Sequence, residues 1–376
     1  MMQPPSPHSL VYHFASLEDP RVLERSRHKL IDILVIAICG VICGADDWVS
    51  IAEFGEAKED WFREFLELPN GIPSHDTFGR TFSLLSPEAF QESFVSWMRS
   101  LTGVFEGLVA IDGKTLRRSH DRRAGKAAIH MVSAWASENG IVLGQVKTEE
   151  KSNEITAIPE LLRALSVTGC LVTIDAMGCQ KAIAKQIIEQ GGDYLLALKG
   201  NQSNLADEVE AVFSTADGAS YEGYAVDYYE TEERNHGRHE IRRYWSLASE
   251  GLLVHAAPWA NLNMIGMMES QRTVDGETSI EYRYYIASIE NRATEFARAV
   301  RGHWGIENGL HWVLDVALRE DDCRVRKGNA PENLALLRHI AVNAVKQEKT
   351  KKLGVKNKRL KAGWDETYLA KILCGV

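Results

Sequence analysis

The chain has 376 residues, 45% of them apolar and 25% charged, with a formal net charge of −9. Such a length exceeds one ordinary core and predicts two or three substructures, and the balance is that of a soluble globular protein. The net charge excludes a uniformly basic nucleic-acid binder and leaves local patches as the means of meeting phosphates. Six cysteines (Cys39, Cys43, Cys170, Cys179, Cys323, Cys374) contain no C-x-x-C pair, which predicts free thiols in a reducing cytoplasm and argues against a zinc module. The first thirty residues lack the basic, apolar, small-residue order of a signal peptide.

Residues 1–103 read as a helical N-terminal domain. Leu30–Ala45 is an apolar run of about 16 residues carrying Asp32, short of the about 20 that span a membrane, so it predicts a buried helix. Ile51–Leu66 has apolar residues at helical spacing (Ile51, Phe54, Trp61, Phe65) and predicts a second helix. Residues 69–73, Pro-Asn-Gly-Ile-Pro, break the pattern, and Ser86-Pro87 starts another helix with a serine cap and proline at the first position.

The rhythm changes at Leu108. Leu108–Asp112, Ile129–Ser137 and Ile141–Thr148 predict three strands, the last two joined by Glu138-Asn139-Gly140, a hairpin signal. Ser152-Asn153-Glu154 caps a helix through Leu165, Cys170–Asp175 is a fourth strand, Gln180–Gln190 a helix, Tyr194–Lys199 a fifth strand, and Asn201–Ser214 a further helix. One hairpin followed by βαβ crossovers predicts a mixed sheet with helices on its faces over residues 104–214. Residues 215–292 show period-two stretches and predict a small β-rich insertion. Helical character returns over 293–348, which carries Glu307, and residues 349–376 read as a basic C-terminal tail.

Asp112 and Asp175 each close a short apolar run, Leu-Val-Ala-Ile-Asp-Gly and Leu-Val-Thr-Ile-Asp-Ala. An acid at a buried strand end is held rigidly with its carboxylate reachable, although such an acid also serves as a plain cap or turn residue. With Glu307 these acids offer oxygen ligands and no Cys/His cluster, which implies a hard ion, Mg²⁺ or Mn²⁺. Two such ions about 3.5–4 Å apart serve in-line phosphodiester displacement. Basic residues cluster from Lys114 to Lys126 (Lys114, Arg117, Arg118, Arg122, Arg123, Lys126), from Lys346 to Lys361, and around Arg21, Arg25, Arg27, His28 and Lys29. Each reads as a solvated face or as a phosphate contact, and the first, starting two residues after Asp112, favours phosphate.

Several words carry a resemblance: Ala110-Ile-Asp-Gly-Lys-Thr-Leu-Arg117, Glu149 to Glu160, Ile174 to Gln180, Ala197-Leu-Lys-Gly-Asn-Gln202, His236-Gly-Arg238 and Arg301 to Asp315. In this order they resemble bacterial insertion-sequence transposases of the Asp-Asp-Glu type, the group that includes the H-repeat-associated proteins of Rhs elements. The resemblance spans nearly the whole chain and implies an RNase H-like core, with Asp112, Asp175 and Glu307 as the catalytic and metal-binding triad and the β-rich segment inserted between the second acid and the glutamate. It further implies two Mg²⁺ or Mn²⁺ ions, and duplex DNA (terminal inverted repeats and target) as partner, bound by a homodimer in a cytoplasmic, nucleoid-associated setting. It implies strand cleavage and strand transfer; the alternatives are an RNase H-like nuclease without strand transfer and an inactivated transposase kept as a DNA-binding protein. Hairpin-forming relatives place a Tyr, an Arg and a Lys at offsets that here hold Val300, His303 and Leu314, so a hairpin intermediate is not inferred.

Candidate DNA contacts are Lys114, Arg117, Arg118, Arg122, Arg123, Lys199, Asn201, Gln202, His236, Arg238, Arg301, His303, Trp304 and His311. An unbroken helix would put His303, Trp304, Glu307, Leu310, His311 and Leu314 on one face. The histidines then touch the scissile phosphate or orient Glu307, or are satisfied, partly buried residues. Trp304 and Trp312 read as core packing before base stacking. Asp315, Glu320, Asp321 and Asp322 are rival third acids, the last three ending the helix.

Overall fold

The computed structural model of the chain describes residues 10–102, 105–120, 125, 127–148, 154–235 and 237–374. The opening helices are α1 (Leu10–Phe14), α2 (Leu30–Cys43), α3 (Trp48–Ala57), α4 (Glu59–Phe62), α5 (His75–Leu84) and α6 (Pro87–Thr102). The apolar run becomes α2, buried on nearly every face, with Asp32 accepting the Leu68 N–H at 3.2 Å. Gly44 ends it at φ 112°, a left-handed cap that glycine adopts without strain. Asp47 and Ser50 form a capping box at α3, and Ser86 Oγ accepts the Ala89 N–H at 3.2 Å at the start of α6. The single helix expected over 51–66 is two: Lys58 leaves helical geometry (φ −119°, ψ 18°), and its ammonium meets Glu366 at 2.8 Å. No helix among the described residues is long and apolar enough to cross a membrane.

The centre follows the predicted order: β1 (Leu108–Thr115), β2 (His130–Ala136), β3 (Ile141–Lys147), α7 (Glu154–Ala164), β4 (Leu171–Ile174), α8 (Lys181–Glu189), β5 (Asp193–Leu198) and α9 (Ser203–Gly218). β1, β2 and β3 are antiparallel neighbours, and β4 and β5 run parallel on the other side of β1. Residues 149–153, with the predicted Ser152-Asn153 cap, lie outside the described residues. The β-rich segment supplies β6 (Val226–Asn235), β7 (Arg238–Ala248), β8 (Met264–Val274) and β9 (Glu277–Ala287). It is not a small separate unit. β9 pairs antiparallel with β5, so all nine strands form one sheet in the order β3-β2-β1-β4-β5-β9-β8-β7-β6. The reason is an open edge: β5 has no parallel neighbour beyond it, and β9 satisfies its backbone groups.

α10 (Ala293–His303), a π-helical turn (Glu307–His311), α11 (Trp312–Leu318), α12 (Ala330–Gln347), α13 (Val355–Trp364) and α14 (Glu366–Cys374) complete the chain. α2 packs on α12 and α13, and one apolar cluster runs from Phe14 to Ile372, so the N-terminal helices and the C-terminal segment share a core. The segment after residue 348 is therefore not a free basic tail. Lys358 Nζ donates to the carbonyl of Val345 at 3.2 Å and pairs with Glu348 at 3.4 Å. Arg359 donates to the carbonyl of Val41 at 2.7 Å and faces Asp46 at 3.7 Å. Lys346 reaches the Gly309 carbonyl at 2.8 Å across the Trp135 ring. Lys358 and Arg359 are inside because the last carbonyls of α12 and α2 need donors. Lys349, Lys351, Lys352 and Lys356 are exposed.

Arg359→Met keeps the buried stem but leaves the Val41 carbonyl and Asp46 without their donor. Urea denaturation should register a loss of about 1–3 kcal/mol, the range for an orphaned buried polar group. A loss below roughly 0.5 kcal/mol, as at a plain surface site, would mean that this arginine does not tie the C-terminal helices down.

Candidate active site

Asp112 is the fifth residue of β1, opposite Ser133 of β2. The parallel register pairs Ile111 with Ile174, so the next residues, Asp112 and Asp175, lie side by side where the pairing of β1 with β4 ends. Asp175 turns its carboxylate onto its own loop and accepts the N–H of Met177 at 3.0 Å and of Gly178 at 3.3 Å. Asn201 donates to the Ala176 carbonyl at 2.6 Å and Gln202 to the Cys179 carbonyl at 3.0 Å. Read from the sequence as DNA contacts or as a plain strand-end turn, these two amides brace the loop that carries Asp175.

Glu307 arrives by a different route. α10 crosses close over β1 at Gly302, where a Cβ would fall 1.9 Å from Leu108 Cδ2, and Ser137 Oγ donates to the Gly302 carbonyl at 2.9 Å. His303 Nδ1 lies 3.0 Å from Thr173 Oγ1 on β4. The helix then breaks and re-forms as the π-helical turn that opens at Glu307, so the unbroken helical face expected from the sequence is not there. His311 is buried and sets Nδ1 3.6 Å from Asp112 Oδ2 and 3.7 Å from Glu307 Oε2.

Ligand atoms of Asp112, Glu307 and His311 lie within 4.8 Å of one another, and so do those of Asp112, Asp175 and Glu154. Asp112 belongs to both groups. Burial, then the nearby Glu154, Glu307 and Asp175 carboxylates, push its carboxyl up to about 7 against a backbone hydrogen bond at Gly113. Asp175 is raised as well, by burial and by Glu154. Burial pulls both His303 and His311 down to about 4, so both imidazoles are neutral at pH 7. Three carboxylates at one corner, and two more groups at the next, fit a hard divalent cation better than they fit an empty cavity.

A cleft of about 210 Å³ opens on the acids, with Lys199, Arg283, His303 and Trp304 among its walls. Trp304 is 43% and Trp312 59% exposed, which corrects their reading as core residues. Arg283 lies over the Trp304 ring at 4.7 Å. Lys114, predicted as a DNA contact, is instead enclosed by Asp315 at 2.8 Å, Glu320 at 3.1 Å and Asp321 at 3.2 Å. Burial pulls its ammonium down, but Glu320 and Asp315 outweigh that and raise it. Arg117 and Arg118 face Asp321 and Asp322 at 3.2 and 3.3 Å. The rival acids are thus occupied by cations. Arg238 pairs with Glu240 and Arg301 with Glu233, and neither lines the cleft. Arg122, Arg123 and His236 lie outside the described residues. Sequence reasoning missed Arg283, His130 and Glu154; the signal for Glu154 was an acid opening the helix after the third strand, read there as a cap.

A family model for the transposase DDE domain matches residues 104–344, and a DDE_Tnp_1-associated model matches residues 11–98. The H repeat-associated protein YhhI of Escherichia coli K12 is 43% identical over 374 residues, 97% of this chain and 98% of its own. YncI of Escherichia coli O157:H7 is 43% identical over 370 residues, 97% of this chain and 94% of its own. A solved piggyBac transposase synaptic complex with hairpin DNA is similar over 97% of this chain and 78% of that one, at 11% identity and a TM-score of 0.42, too slight a likeness to carry an argument.

The raised Asp112 carboxyl has a sign in stability. Its folded value, about 7, lies above the ordinary 3.8, so below pH ~4 both states hold the proton and nothing is lost. As pH rises from there the unfolded chain gives up its proton first, and above about 7 the folded protein carries the full cost of the buried charge. Metal-free Asp112→Asn should therefore melt higher than wild type at pH 8, by about 2 °C or more, with no gain at pH 4. Thermal melts in EDTA at both pH values measure this, and a gain that does not depend on pH would contradict it.

Proposed function

The chain belongs to the transposase DDE family and is a DNA transposase, an enzyme of strand cleavage and strand transfer, and we propose that Asp112, Asp175 and Glu307 are its catalytic triad. The observation that carries the assignment is convergence: acids from β1, from the end of β4 and from the π-helical turn meet at one cleft, with Asp112 common to two ligand groups. The family uses divalent metal, and we assign it here to two Mg²⁺ ions, with Mn²⁺ able to substitute. When bound, such ions supply positive charge to the attacking and leaving oxygens of an in-line displacement.

The chain's own residues then have separate tasks. Asp112, Asp175 and Glu307 hold the ions, and the amides of Met177 and Gly178 keep Asp175 turned toward its loop. Neutral His311 lies between Asp112 and Glu307 and adds no charge to repel or attract phosphate. Lys199 and Arg283 at the cleft wall face the backbone of the bound strand, and exposed Trp304 offers a ring for an unpaired base, a contact worth about 1–3 kcal/mol. The strand order β3-β2-β1-β4-β5, with β4 and β5 parallel to β1, supports an RNase H-like core. β6–β9 are then the insertion between second acid and glutamate, with residues 1–103 as the helical domain for DNA or dimer contacts. The substrates are the terminal inverted repeats of an insertion sequence and its target duplex, bound by a homodimer.

Asp112→Asn, Asp175→Asn and Glu307→Gln keep side-chain shape and remove the charge that holds metal. Each should lower cleavage of an inverted-repeat duplex by at least about a thousandfold while the protein stays folded by circular dichroism. Cleavage retained by a folded single variant would remove that acid from the triad, and cutting without joining to target DNA would reduce the enzyme to a nuclease.

The exposed lysines make a second, separable prediction. Replacing Lys349, Lys351, Lys352 and Lys356 together by Gln should weaken binding to all duplexes alike. The log–log salt slope should flatten by up to about 3.6, at about 0.9 per lost phosphate contact. An unchanged slope would make them a solvated face.

A further inference from the structure

Glu154 opens α7, on the far side of the β2–β3 hairpin from Asp112 in sequence, yet its carboxylate is buried beside the triad. An acid in a first helical turn ordinarily faces solvent and the helix's own N–H groups. This one is turned inward, its ligand atom within 4.8 Å of those of both Asp112 and Asp175. Oε1 accepts from His130 Nε2 at 2.9 Å, and His130 Nδ1 lies 2.9 Å from Thr115 Oγ1, its register partner on β1.

The strand makes room for this arrangement. Residue 113 points to the opposite face of the sheet from Asp112. A Cβ there would fall 2.2 Å from Glu154 Oε1 and 2.2 Å from His130 Nε2. Gly113 has no positive φ to require glycine. It is kept for space, and that space admits a carboxylate from the other face to the corner between the two catalytic strands. Three carboxylates there, with one histidine as partner, are an oxygen cage for a hard cation and a costly arrangement without one.

We propose that Glu154 is a fourth carboxylate of the active centre, holding a divalent cation together with Asp112 and Asp175, and that His130 is the positioning residue that orients it. The proposal rests on the assignment of Asp112 and Asp175 above. A hydrogen-bonded partner fixing a metal-binding carboxylate is the usual way such ligands are aimed, and its loss costs about 10–100-fold in metal affinity.

Free Mn²⁺ measured by electron paramagnetic resonance, titrated into the full chain without DNA, reads the site apart from activity. Glu154→Gln should weaken the tightest Mn²⁺ binding at least about tenfold, with a cooperative melt retained. His130→Ala should weaken it too, and His130→Gln, which keeps a donor, should recover most of the loss. Glu154→Asp keeps the charge and withdraws the carboxylate by one methylene, so it tests reach alone should the Gln variant fail to fold; a ligand role predicts weaker binding. Wild-type affinity in folded Glu154→Gln or Glu154→Asp, alongside loss in Asp112→Asn and Asp175→Asn, overturns the role of Glu154 and leaves the triad standing. Wild-type affinity in the two aspartate variants as well overturns both.

Discussion

Carboxylates crowded together away from water repel, and the fold around residues 112 and 175 is built to withstand that repulsion. Two unit charges 4.8 Å apart interact by about 3.5 kcal/mol at an effective dielectric near 20, a large share of the roughly 5–15 kcal/mol by which a whole domain is stable. No single contact offsets this. Asp112 is paired antiparallel with Ser133 of β2 on one side, and on the other it is the first residue past the parallel β1–β4 pairing, which ends at Ile111 and Ile174. Asp175 accepts two backbone N–H groups, and its loop is held by Asn201 and Gln202. The backbone can thus hold the acids where charge alone would separate them, and a bound cation then reverses the sign of the interaction.

The same repulsion explains why the neighbouring acids are kept apart from the centre. Lys114 lies two residues beyond Asp112 on the same strand face, and it gathers Asp315, Glu320 and Asp321 around one ammonium. Arg338, fully buried, approaches Glu320 from the other side at 3.9 Å. A dense acidic region is therefore divided into a neutralised half and an open half within a few residues of one strand. The open half is where metal chemistry has room.

Much of this was legible in the sequence because two periodicities carry it. Short apolar runs ending in Asp112 and Asp175 fix two adjacent strands, with each acid the first residue past their parallel pairing, and the Asn139-Gly140 pair fixes the hairpin between them. The helix of Glu307 was legible as a helix, but its π-helical turn was not: an i→i+5 turn leaves the apolar spacing nearly unchanged, and its cause is tertiary. Gly302 and Gly309 let the helix approach Leu108 and the Trp135 ring, where a Cβ would clash. The opposite fates of Lys114 and Lys199 were illegible for a related reason. Charge clusters are read as patches along the chain, whereas ion pairing depends on which acids the fold brings across more than 200 residues. The lysine-rich C-terminal segment failed as a tail for the same cause, since the carbonyl ends of α2 and α12 recruit its cations inward.

The continuous sheet also decides how an acidic protein meets a polyanion. Screening limits each charge to about 10 Å at ordinary salt, so the net charge of −9 matters less than the few cations within that distance of the cleft. Lys199 directly follows β5, and Arg283 lies on β9, which pairs with β5 from Leu195 to Leu198. Without the β6–β9 extension, the cleft would keep its acids and lose Tyr285 and Arg283, the cation that packs over Trp304. The extension is therefore part of the wall of the site. By pairing with the open edge of β5 it satisfies a backbone that would otherwise be exposed, and in the same step it sets positive charge opposite the carboxylates, which is what a phosphate bridging the two sides requires.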